Sequence, residues 1–211
     1  MPAVEKNRTR VTASSAVITA DELRDVLGKI DGAYDGEGCL HLIGETSHVA
    51  EGWREWTTQI EFFGDVVPIR RTFLYTAIEK VVEETGCRII NEFPGDLIPL
   101  PKGYMERARD VSDATFIDGL RLNVRHFDPY SVVFRFIARG DEPDYHIALM
   151  YLEKGWITFD EMDRRLEALL PEFSLETIAQ DPAEFRRKYR GLAQMWSKRL
   201  RPRTVHRPTE T

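Results

Sequence analysis

Only two cysteines, Cys39 and Cys87, occur in 211 residues. They lack the close spacing of a zinc site or redox pair and fall in short apolar runs that read as strands, so reduced, buried thiols are expected. Long apolar runs are also missing: nothing nears the roughly 20 residues a membrane helix needs. Residues 1–10 are polar and lack the apolar stretch of a secretory signal, which predicts a soluble, cytoplasmic protein with no membrane partner. No Gly-x-Ser-x-Gly elbow and no phosphate loop ending in Gly-Lys-Ser/Thr is found, which argues against elbow-type hydrolases and P-loop enzymes. The histidines His41, His48, His126, His146 and His206 are scattered, and none forms the helical i, i+4 pair with an acid that a zinc enzyme uses.

What is present, 42% hydrophobic and 30% charged residues, suffices for one compact domain with an appendage or for two small domains sharing a core. The net charge of −6 is unevenly spread. Residues 183–207 carry Arg186, Arg187, Lys188, Arg190, Lys198, Arg199, Arg201, Arg203 and Arg207 against the single acid Glu184. An acidic body therefore ends in a basic segment. Two readings stand: the segment grips the phosphates of RNA, or it is a helix and tail docked on the acidic body.

Local signals place the elements. Thr19 and Glu22 form a capping-box pattern ahead of Leu23, Val26, Leu27 and Ile30, which share one helical face. Residues 39–43 and 59–63 read as strands, with a short helix over 45–52 between them. A helix over 72–85 lines up Phe73, Ala77, Val81 and Val82 and ends at Gly86. A strand over 87–90 follows, then a Pro-rich loop over 98–103. Residues 111–127 suggest a hairpin turning at Asp118-Gly119. Beyond this point the signals are helical: Asp128-Pro129 opens a helix ending at Gly140, and further helices span 143–154 and 158–170 and start again at Asp181-Pro182. The expected organisation is a flexible N-terminus (1–18), an α/β domain (19–127), a helical domain (128–196) and a basic tail (197–211).

Three stretches together carry a family resemblance. The first is Leu40-His41-Leu42-Ile43-Gly44-Glu45-Thr46-Ser47, a strand leading into a glycine turn; the second is Thr57-Thr58-Gln59-Ile60-Glu61. The third runs from Leu100-Pro101-Lys102-Gly103-Tyr104 through Asp128-Pro129-Tyr130 to Arg135, Ala138-Arg139-Gly140, Asp144 and Gly155. The set resembles bacterial nucleotidyltransferase-like proteins of the polymerase β superfamily, near the abortive-infection toxins and minimal nucleotidyltransferases. The resemblance implies a mixed sheet with flanking helices, followed by an all-helical C-terminal portion. It also implies transfer of a nucleotide from a triphosphate to an RNA or protein acceptor, with magnesium ions held by carboxylates at i and i+2 of one strand.

By that resemblance Glu61 and Gln59 stand at the catalytic and metal-binding positions. Gly44, Thr46, Ser47, Arg135 and Arg139 stand at the nucleotide-binding ones. Glu92 and Asp118 are candidates for a third carboxylate, each also readable as an ordinary loop or turn acid. The departures fall at the site itself. Gln59 replaces an acid, Glu45 puts a negative side chain after the glycine, and Pro143-Asp144 stands for an Arg-Asp pair. Such losses imply a degenerate protein that binds a nucleotide, an RNA or a cognate partner protein, with magnesium binding weak or lost. The alternative is an active, magnesium-dependent transferase, toxin-type included. Trp53 and Trp56 either stack on a base or anchor their loop to the core.

Overall fold

The computed structural model describes residues 17–173 and 181–200. The fraying expected over 1–16 and the tail from 201 onward lie outside the described residues. The architecture is α/β, with a five-stranded mixed sheet and a helical C-terminal portion. The strands are β1 (Cys39–Leu42), β2 (Ile60–Asp65), β3 (Ile89–Asn91), β4 (Arg109–Asp110) and β5 (Asn123–His126). Their order across the sheet is β3-β2-β1-β5-β4. β1 runs antiparallel to β2 and parallel to β5, β2 is parallel to β3, and β4 pairs antiparallel with β5.

Alternation along the strands sends side chains to two layers. Leu40, Leu42, Ile60, Phe62 and Val124 join one apolar cluster with α1 (Ala20–Ala33) and α3 (Arg71–Thr85). The opposite face carries Glu61, Phe63 and Phe127. Against it pack α4 (Pro129–Arg139), α5 (Glu142–Glu153), α6 (Phe159–Leu169) and α7 (Pro182–Leu200), which build a second cluster around Phe134, Phe136, Tyr151 and Phe185. That second cluster also takes in Ile43, Phe93, Ile98 and Tyr104, so the helical portion closes directly on the sheet. α2 (Glu45–Ala50) bridges β1 and β2. No helix among the described residues is long and apolar enough to cross a membrane.

The capping signals act as expected. Thr19 and Glu22 cap α1 reciprocally, and Thr158 accepts from the Glu161 N–H at the start of α6. Gly86 and Gly140 end α3 and α4 with φ of 69° and 75°, a left-handed geometry that glycine adopts without strain. Asp128 does more than cap. Its fully buried carboxylate accepts from Ser131 Oγ at 2.7 Å and takes a bidentate contact from Arg107 at 3.0 and 2.8 Å. Arg107 also donates to the carbonyls of Pro101 and Lys102, which pins the Pro-rich loop to the N-terminus of α4.

Several expectations need correction. The hairpin is wider than expected: its strands are 109–110 and 123–126, a 3-10 turn (Ala114–Ile117) lies between them, and Asp118-Gly119 is part of a long loop. In α3 the buried face is Leu74, Ala77, Ile78 and Val81, while Phe73 is 58% exposed. Ala77 and Val81 stay on the buried face, which takes Leu74 and Ile78 in place of Phe73 and Val82. α7 spans Pro182–Leu200. Cys39 opens β1 and Cys87 precedes β3; both are free thiols, and burial pushes Cys39 up to about 12.

Asp128→Ala removes the cap and leaves Arg107 without its carboxylate. The expected loss is about 2–4 kcal/mol, of which about 1 belongs to the cap, read from urea unfolding midpoints.

Candidate functional site

The site forms where β1 ends. The chain bends at Gly44 with φ 58° and ψ −128°, a conformation that strains any residue with a Cβ. A Cβ there would stand 2.6 Å from the Phe136 ring and 3.3 Å from Glu61 Oε2, so Gly44 allows α4 and β2 to approach the bend. Glu61 is fixed through its backbone on both sides. Its N–H donates to Thr46 Oγ1 at 2.7 Å, and its carbonyl accepts from the Ile43 N–H at 3.0 Å.

The side chain of Glu61 is turned toward the helical layer and is only 3% exposed. There α4 presents Arg135 and Arg139, four residues apart and so on one face. Arg139 Nη1 lies 3.8 Å from Glu61 Oε1, and its Nε donates to Asp144 Oδ2 at 3.1 Å; a second bond joins Nη2 to Asp144 Oδ1. Arg135, also buried, donates from Nη2 to Glu92 Oε2. Burial pushes the Glu61 carboxyl up, and Arg135 and Arg139 oppose it without restoring the ordinary value. For Arg139 burial alone would lower the guanidinium, but Asp144 and then Glu61 outweigh it and raise it.

The structure thus brings Gly44, Thr46, Glu61, Arg135 and Arg139 together. Ser47 is wholly buried in the same place, its hydroxyl without a hydrogen-bond partner, and burial pushes the nearby Tyr151 hydroxyl up. Thr46 is equally buried and is occupied by the backbone of Glu61. Gln59 falls outside the expected strand: it sits in a bend one residue ahead of β2, and no hydrogen bond joins its side chain to Glu61. The strand starts late because Thr57 is held by the isolated bridge to Ile18 and its hydroxyl contacts the Gln59 backbone.

Glu45 does not face an open phosphate cradle. Its carboxylate is tied to Arg54 Nη1 at 2.5 Å and to Thr57 Oγ1 at 2.9 Å. Of the two candidates for a third carboxylate, Glu92 joins the network through Arg135. Asp118 instead borders a surface depression with Arg24 and Lys29 of α1. Among the described residues no group of three or more His, Cys, Asp or Glu is placed to hold a metal ion.

Other sequence candidates resolve into packing. Trp53 sits edge-on to Trp156 at 4.5 Å between ring centroids and belongs to the second core, whereas Trp56 is 42% exposed with Arg54 over its face. Along α7, Arg186 pairs with Glu167, Arg187 with Glu184 and Arg199 with Glu153. Lys188 donates to the carbonyls of Ala138 and Arg139, closing the C-terminus of α4. Arg186, Lys188 and Arg199 are therefore engaged by the body, while Arg187 pairs within α7 itself.

Sequence reasoning did not find a buried pair on the far side of α2. His126 Nε2 lies 2.8 Å from Glu51 Oε1, and Ser112 donates to the same carboxylate through its N–H and its hydroxyl. Nothing local announces it, since Glu51 ends a short helix and its partners lie 61 and 75 residues away. Burial pushes Glu51 up, but the hydrogen bonds of His126 and Ser112 together bring it down to about 2.

No protein-family model, curated protein or solved structure matches the chain.

Two outcomes follow from this geometry. Gly44→Ala costs about 1–3 kcal/mol from backbone strain alone, and the Phe136 contact places it at the upper end, measured by thermal unfolding. Glu51 is depressed from 4.5 to about 2, so its contribution is complete above pH 4.5 and is lost as pH falls toward 2. Glu51→Gln flattens the acid limb of the stability profile across that window.

Proposed function

We propose that the chain is a degenerate nucleotidyltransferase-like protein that acts as a binding module for a nucleotide, an RNA or a partner protein, without metal-dependent turnover. The observation that supports this reading is the setting of Glu61. The carboxylate that a transferase would offer to magnesium lies against Arg139 and near Arg135, two fixed cations. A divalent ion brought to Glu61 meets their repulsion, and Gln59 adds only a neutral amide that lies off the strand. This donor set does not fit a pair of magnesium ions. The cluster instead balances itself, with Arg139 between Asp144 and Glu61 and Arg135 on Glu92.

One observation favours the competing reading of an active transferase. Glu61 Oε1 is buried and has no hydrogen-bond partner, only Arg139 Nη1 at 3.8 Å, so one acceptor lacks a donor at bonding distance. The experiment separates the two. The protein is incubated with each labelled nucleoside triphosphate, magnesium or manganese, and total RNA, and the stability of site variants is measured in parallel.

The binding-module reading expects no label transfer. It also expects Glu61→Gln to be tolerated with a smaller loss of stability than Arg139→Met, because burial already favours the neutral form of the carboxyl. Arg139→Met strands the buried Asp144 and costs about 3–5 kcal/mol. Metal-dependent transfer that Glu61→Gln abolishes would overturn the proposal.

A further inference from the structure

A second surface lies at the other end of β2. Phe63, Gly64 and Asp65 from β2, with Asn91, Glu92 and Phe93 from the end of β3, form one wall of a cleft of about 530 Å³. Arg71, Leu74 and Tyr75 of α3 and Asp96, Tyr104 and Met105 close the rest. That volume lies within the range of ligand pockets, roughly 300–1,000 Å³. Carboxylates and aromatic rings dominate it: Asp65, Glu92 and Asp96 stand against one cation, Arg71.

Two of these acids lack a strong partner. Among the described residues Asp65 meets only His41, at 3.9 Å, and burial lowers that imidazole to about 4, which leaves it neutral near pH 7. His41 is itself 97% buried, has no hydrogen-bond partner on either ring nitrogen, and stacks on Phe63 beneath the cleft with Nε2 toward Asp65. Asp96 has no cation within 4 Å among the described residues. Glu92 already holds one guanidinium from below, that of Arg135, so this wall is chemically suited to such a group.

The rim adds an independent observation. Val67, Ile69, Phe73 and Tyr75 are 60%, 82%, 58% and 52% exposed. Four of the seven large apolar side chains exposed among the described residues fall within these nine positions. Tyr75 belongs to both rim and cleft, which makes the two surfaces continuous. An apolar ridge beside an acidic, aromatic pocket is the pattern of a protein contact surface, in which a central charged anchor is surrounded by apolar packing.

We infer that this cleft and ridge dock a segment of a partner protein that inserts an arginine between Asp65, Asp96 and the aromatic walls and lays flanking apolar side chains on Ile69 and Phe73. The recognition uses charge-assisted hydrogen bonds to the carboxylates and the attraction of a cation to Phe93, Tyr75 and Tyr104. The surface shares Glu92 with the Glu61 network, but the anchor carboxylates Asp65 and Asp96 and the apolar ridge lie outside it. It gives the binding-module reading a partner class, and it stands or falls on its own experiment.

The test uses the full chain labelled with nitrogen-15 and three probes: the peptide amide Leu-Arg-Leu-Leu, the same peptide with citrulline for arginine, and arginine amide alone. The proposal expects the arginine peptide to shift the resonances of Gly64, Asn91, Ile69 and Tyr75. It expects affinity to fall at least about tenfold with citrulline, and likewise in the double variant Asp65→Asn/Asp96→Asn. Ile69→Asp, at a solvent-exposed position, removes the advantage of the peptide over arginine amide while the spectrum shows an intact fold.

Equal binding of the citrulline peptide overturns the proposal, as does arginine amide binding as tightly as the peptide, which marks a small-cation pocket. Self-association in sedimentation that Ile69→Asp abolishes also overturns it, because the ridge then belongs to a second copy. A labelled-nucleotide result of either sign leaves this surface untouched.

Discussion

A glutamate side chain enclosed between a β-sheet and a layer of helices is driven toward its neutral form, and cations enclosed with it oppose that drive. Glu61 sets that condition here, and much of the surrounding arrangement answers it. α4 brings Arg135 and Arg139 to the sheet on a single face. Each arginine then needs a further carboxylate, which Glu92 supplies from the end of β3 and Asp144 from the first turn of α5. Gly44 is the complement of the same requirement, since a side chain there would occupy the space that Phe136 and Glu61 share. The ion cluster therefore ties β2, β3, α4 and α5 at one place.

Other buried acids repeat the device at other joints. Asp128 joins the Pro-rich loop to α4 through Arg107. Asp31 of α1 accepts the N–H groups of Arg121 and Leu122 and so fixes the approach to β5. Glu51 joins α2 to His126 of β5 and to Ser112. A chain with an acidic body uses its carboxylates as connectors between segments, each supplied with donors, because an unpaired buried acid costs several kcal/mol. The basic helix α7 fits the same pattern from outside, with Arg186 and Arg199 reaching acids of α6 and α5.

The parts legible in the sequence are those whose cause is local. Thr19 with Glu22, Asp128 with Pro129, Thr158 with Glu161, and the glycines 86 and 140 mark helix ends because capping acts across three or four residues. A short apolar run revealed β1, and alternation most of β2. The site was legible in part: Gly44, Thr46, Glu61, Arg135 and Arg139 do converge. Their partners were not legible as such, since Arg135 meets Glu92 from 43 positions away. β4, two residues long, has no periodicity to detect, and the start of β2 depends on a bridge between Thr57 and Ile18 that no pattern near Gln59 encodes. Phe73 was misplaced for a related reason: the buried stripe of a helix depends on what it packs against, and here the ridge it joins faces solvent.

The central claim is that the carboxylate at position 61 is balanced by the protein's own arginines and is closed to a divalent ion. Carbon-13 spectra of the glutamate carboxyl groups, recorded across a pH titration and then with added manganese, address it directly. The account predicts that Glu61 titrates above the ordinary glutamate range and that manganese leaves its signal as sharp as those of glutamates remote from the site. Selective broadening of Glu61 together with the Gly44 amide at low manganese would contradict it.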